Sequence, residues 1–141
     1  MAILYLTVDE VAELHDYAIA FGGAAGVRSH HLLASAVFQA QQSVFGEDAY
    51  GTLAEKAAAY GFFLVQNHPF VDGNKRTAEL ALVTFLELNG YALVADEDVI
   101  AQMFEDTAAG RVEQAEFFRW VAAHTTPQSR SNVVSFTESE H

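Results

Sequence analysis

Four side chains able to do chemistry fall within nine residues, His68-Pro69-Phe70-Val71-Asp72-Gly73-Asn74-Lys75-Arg76, and the run continues into Thr77-Ala78. An imidazole is a base at neutral pH, so His68 could take the proton of an attacking hydroxyl. Mg²⁺ is commonly held by one or two carboxylates together with phosphate oxygens and water, and Asp72 could serve in that way. Gly73 would let the backbone approach a phosphate closely, and Lys75 and Arg76 supply adjacent positive charge in an acidic chain. The stretch lies just before a helix start, where free N–H groups and a partial positive charge favour anions. These residue types in this order point to a magnesium-bound polyphosphate beside a base.

Each residue has a plainer reading on its own. His-Pro can be a helix stop, Gly-Asn a turn and cap, and Lys-Arg a solvated first turn. The plainer reading places the cations badly, because positive charge in a first turn opposes the helix dipole by ~0.3–1 kcal/mol per residue. An anionic ligand removes that conflict.

The surrounding pattern predicts helices that would position this stretch. Thr7 and Glu10 form a capping-box pattern ahead of a helix over 8–21 that stops at Gly22-Gly23, and Ser29 can cap a second helix ending near Gly46. Thr52 and Glu55 repeat the capping box before residues 53–67, which are apolar nearly all round, as in a central helix. Pro69 closes that helix, and Asn74 is expected to cap the next one, over 75–88, which stops at Asn89-Gly90. Residues 91–95 read as extended, and two further helices follow over 96–109 and 113–124. The expected fold class is therefore all-α, about six helices around a central buried hairpin whose apex carries the loop from His68 to Arg76. One domain spans 1–127, and the Ser-, Thr- and Glu-rich residues 128–141 are expected to be a disordered tail.

Composition excludes several function classes. With 19 Asp and Glu against 7 Lys and Arg, a formal charge of −12 repels phosphate backbones and argues against nucleic acid as a partner. The absence of cysteine excludes disulfides, thiolate metal sites and a cysteine nucleophile. The longest strongly apolar run, 57–65, is ~14 Å as a helix, too short for a bilayer, and no signal peptide is apparent. No membrane association and a cytoplasmic location are expected. His15-Asp16 invites a metal phosphohydrolase reading, but no other histidines show helical ligand spacing, and His15 is assigned to packing or capping near the first helix. No Gly-x-Ser-x-Gly elbow, Walker motif or dinucleotide fingerprint is present.

HPFVDGNKRTA resembles the signature of the Fic/Doc (death-on-curing) superfamily, and specifically its Doc branch, which has Lys at the eighth motif position. Supporting blocks are Leu14-His15-Asp16, Gly22-Gly23, Gly26-Val27-Arg28, residues 53–58 and Phe85-Leu86-Glu87-Leu88-Asn89-Gly90-Tyr91. The resemblance implies that His68 is the general base, Phe70 a core anchor of the loop and Asp72 the Mg²⁺ ligand. It also implies that Gly73 and Asn74 shape a phosphate nest and that Lys75 and Arg76 hold the nucleotide phosphates. Fic-type members transfer AMP to protein hydroxyls. Doc-type members move the γ-phosphoryl group of ATP onto a threonine of elongation factor Tu, stop translation, and are held in check by an antitoxin acting in trans.

Two positions favour phosphoryl transfer over AMP transfer. AMP-transferring members carry Gly where this chain has Lys75, and a second Arg where it has Glu79, whose carboxylate would repel a phosphate chain. AMP transfer remains the alternative reaction, and a non-catalytic interaction module of the same fold the alternative class. A loose match to the family's self-inhibitory helix over residues 43–47 is assigned to structure, so inhibition is expected from another chain.

Overall fold

The computed structural model describes residues 2–128. Six α-helices, α1 (Val8–Ala18), α2 (His30–Phe38), α3 (Leu53–Asn67), α4 (Asn74–Leu88), α5 (Glu97–Ala108) and α6 (Gln114–His124), are joined by short connections. Beside them lie two small antiparallel pairs, β1 (Ser43–Val44) with β2 (Glu47–Asp48) and β3 (Tyr91–Leu93) with β4 (Thr125–Pro127). The fold is all-α in class. No helix among the described residues is long and apolar enough to cross a membrane. Gln128 donates its N–H to the Gly90 carbonyl at 2.8 Å, and the rest of the expected tail lies outside the described residues.

The central helix is α3, and its all-round apolar sequence explains why. Helices α2, α4, α5 and α6 pack around it, so Ala57, Ala58, Ala59 and Tyr60 are wholly buried. Gly61 marks the closest approach: a Cβ there would sit 2.9 Å from Leu82 on α4 and 3.2 Å from Phe117 on α6. Capping boxes start α1 at Thr7–Glu10 and α3 at Thr52–Glu55, as the sequence predicts.

Two helix ends are corrected. The first helix ends at Ala18 rather than near 21, because the Ala18 carbonyl accepts from the Arg76 guanidinium at 2.9 Å and Gly22 N–H turns instead to Ile19. The second ends at Phe38, passes through a 3-10 turn (Gln39–Gln41) and gives way to the β1–β2 hairpin. Phe45 and Gly46, at φ 52° and 81°, are the left-handed pair that a two-residue hairpin turn demands. Residues 43–47, the loose self-inhibitory match, therefore form a hairpin and not a helix.

Lys56 is fully buried in α3. Its ammonium donates to the Asp48 carboxylate at 3.0 Å and to the Tyr50 carbonyl, fastening the hairpin to the core. Burial pulls its pKa down, but hydrogen bonds with Asp48 and Tyr5 outweigh that and hold it above the usual lysine value.

Tyr60 performs a similar task for the N-terminal segment. Its hydroxyl accepts from Leu6 N–H at 2.8 Å and donates to Leu6 C=O at 3.2 Å. Burial pushes its pKa up to about 12. A group whose folded pKa lies above its unfolded value (~10) contributes stability that is present below the unfolded value and lost as pH rises through the folded one. Stability to denaturant should therefore fall steeply from pH ~10 to 12. In Tyr60→Phe that component of the alkaline loss should be absent, and an unchanged alkaline profile would refute the assignment.

Candidate active site

His68 is the C-cap of α3 and exposed, with left-handed backbone at φ 48° and ψ 55°. A non-glycine residue held there costs about 1–2 kcal/mol, so something must fix it. Arg28 does so: its Nε donates to the His68 carbonyl at 2.7 Å and its Nη2 to the Asn67 carbonyl at 2.8 Å. Those are end carbonyls of α3, where a cation is also favoured by the helix dipole. The backbone of residues 26–29 runs beside the loop, with Arg28 and Ser29 N–H bonded to the Pro69 carbonyl and Val71 N–H to Gly26.

Below the rim, Phe70 is 1% exposed, as expected of a core anchor. Asn74 is not the cap of α4: Gly73 takes that position and Asn74 is the first helical residue. The buried Asn74 amide accepts from Phe70 N–H at 2.9 Å and donates to Phe70 C=O at 3.0 Å, which closes the loop on itself. No side chain caps α4, so its first amides are left for a ligand.

Gly73 has φ 77°, and a Cβ on it would lie 2.9 Å from Ile19 of the α1 end. Gly73→Ala should therefore lower stability by ~1–3 kcal/mol, combining left-handed strain with local overpacking. Thermal or chemical denaturation measures this, and an unaltered midpoint would contradict it.

The Asp72 carboxylate accepts from Gly73 N–H at 2.8 Å and from Ala24 N–H at 3.0 Å. Those bonds, that of Ala24 first, hold its pKa below the usual carboxylate range, so it is ionised at neutral pH. Two backbone donors leave part of its acceptor capacity free. Among the described residues no cluster of three or more His, Cys, Asp or Glu could hold a metal. The donor set thus fits Mg²⁺ only in company with phosphate oxygens and water, the arrangement that ion prefers.

His68, Asp72, Gly73, Asn74, Lys75 and Arg76 all line one cleft of about 690 Å³. The structure brings the expected site residues together, with one qualification about the cations. Neighbours on a helix point ~100° apart, so Lys75 and Arg76 splay to opposite walls. Lys75 pairs with Glu105 of α5 at 2.6 Å, and Arg76 reaches the Ala18 carbonyl of α1. Glu79, also in the lining, has its pKa raised chiefly by burial and secondarily by Glu97, with Arg76 opposing. Three carboxylates and two basic side chains face the cleft, so a triphosphate gains full neutralisation only with a metal ion.

The Fic/DOC family model matches residues 5–86, more than half of the chain. The chain belongs to the Fic/DOC family. Within it, 81 residues are 54% identical to the toxin Doc of Mycolicibacterium smegmatis (strain ATCC 700084 / mc(2)155), covering 57% of this chain and 62% of that protein. The Doc-branch resemblance of the motif is thereby supported. Glu105 lies beyond residues 5–86 of the family match and has no sequence signal. Arg28 stands in one of the blocks that resemble the family, but nothing local to it discloses that its guanidinium holds the end of α3.

Proposed function

We propose that this Fic/DOC chain is a Doc-type toxin that transfers the γ-phosphoryl group of ATP to a Ser or Thr hydroxyl of a target protein. By family resemblance the target is a threonine of elongation factor Tu, which places the action in the cytoplasm, stops translation and calls for an antitoxin in trans. The observation that carries this reading is the cleft itself: an exposed imidazole, an ionised carboxylate and an uncapped helix start with two cations converge on one cavity. Lys75 and the half-buried Glu79 favour γ-phosphoryl over AMP transfer, since a carboxylate at the position of Glu79 opposes an extended phosphate chain there.

His68 takes the proton as the target oxygen bonds to the γ-phosphorus, the bond from that phosphorus to the β–γ bridging oxygen breaks, and ADP leaves. The first amides of α4, with Lys75 and Arg76, orient the phosphates. Asp72 would hold Mg²⁺, which when bound neutralises charge on the phosphate oxygens. Incubating the protein and elongation factor Tu with ATP labelled at the α- or γ-position tests the reading. Label from the γ-position on the target is expected, and label from the α-position would replace it by AMP transfer. No label from either, with Mg²⁺ and nucleotide bound, would leave an interaction module.

A further inference from the structure

His15 is buried at 3% exposure and takes no part in the chemistry above. Its ring stacks on Phe70 at 3.9 Å with planes 5° apart, and its Nε2 lies 2.8 Å from the Asp72 carbonyl oxygen. A carbonyl only accepts, so Nε2 carries the proton. Among the described residues no other donor reaches that oxygen.

The Asp72 carbonyl and the Gly73 N–H are two faces of one planar peptide. One face is held by His15, and the other by the Asp72 carboxylate, which accepts the Gly73 N–H at 2.8 Å. At Gly73 the backbone is left-handed, where glycine makes alternative peptide orientations accessible. Rotating this peptide would swing its oxygen to the side where the N–H now meets the Asp72 carboxylate, setting a second oxygen beside that carboxylate at the rim of the cleft and the α4 start.

We propose that His15 is a positioning residue: its Nε2–H locks the Asp72–Gly73 peptide in the one orientation that keeps the α4 entrance receptive to phosphate. The lock rests on the functional reading only for the identity of the ligand. Its geometry concerns the apoprotein.

The full-length protein with two substitutions separates donor from packing. His15→Phe keeps a ring against Phe70 and loses the donor, whereas His15→Gln keeps an N–H donor and loses the ring. In His15→Phe, amide hydrogen exchange at Gly73 should accelerate about tenfold and Mg·ATP affinity should fall ~5- to 10-fold, one hydrogen bond's worth. Exchange in α6 and the melting temperature should stay close to those of the unaltered protein. His15→Gln should recover most of the Gly73 protection despite a lower melting temperature. Unchanged Gly73 exchange in His15→Phe, or equal acceleration in both variants, would overturn the lock and reduce His15 to packing. If the unaltered protein binds no Mg·ATP, the functional reading fails, and the Gly73 exchange comparison still decides the role of His15.

Discussion

His68→Ala should reduce phosphoryl transfer by ~10²–10⁴-fold, the usual contribution of a positioned general base, with the fold intact. The imidazole is exposed, and the interactions that hold its backbone run through the main chain: His68 N–H to Leu64 C=O, and Arg28 to His68 C=O. None is removed with the side chain. Because the left-handed backbone at φ 48° is harder for alanine than for asparagine, His68→Asn should show the same kinetic loss with even less effect on melting. Initial rates with labelled ATP, beside a melting curve, make the comparison. Transfer surviving within a few-fold in both variants would remove His68 from the mechanism.

Asn74→Ala should be the most destabilising change in the loop, by ~2–6 kcal/mol, at ~1–3 for each buried group left without a partner. The amide satisfies both the N–H and the C=O of Phe70, itself in the core, and is only 6% exposed. Asn74→Asp retains the acceptor for Phe70 N–H but sets a buried carboxylate oxygen against the Phe70 carbonyl, so it should be destabilising as well. Urea unfolding measures the loss as a lower midpoint with an unchanged slope. An unfolding free energy within ~0.5 kcal/mol of the unaltered protein would show that the Asn74–Phe70 bracket contributes nothing.

Elements bounded by local signals were legible in the sequence. Thr52–Glu55 starts α3, Pro69 follows its end, and Asn89-Gly90 stops α4, each through chemistry within a few residues. Where a boundary depends on a distant partner it was not. The end of α1 is decided by Arg76, 58 positions away, and the hairpin after α2 by a buried Lys56 that draws Asp48 inward. The site shows the same division. His68, Asp72, Gly73, Asn74, Lys75 and Arg76 sit in one contiguous stretch and could be read together. The groups that hold them, His15 and Arg28, come from other elements 57 and 40 positions away. Adjacency also misled: Lys75 and Arg76 are neighbours in the chain and face different walls, and Asn74 braces the loop where a cap was expected.

The rear wall supplied by α1 ties activity to the integrity of the chain's first twenty residues. Ala18 and His15 meet a loop made more than fifty positions later, so a growing polypeptide on the ribosome lacks a finished centre until α4 has emerged and docked. A protease that clipped between α1 and α2 would leave α1 held by noncovalent contacts alone: the Leu6–Tyr60 bonds, the His15–Asp72 bond and the Ala18–Arg76 bond.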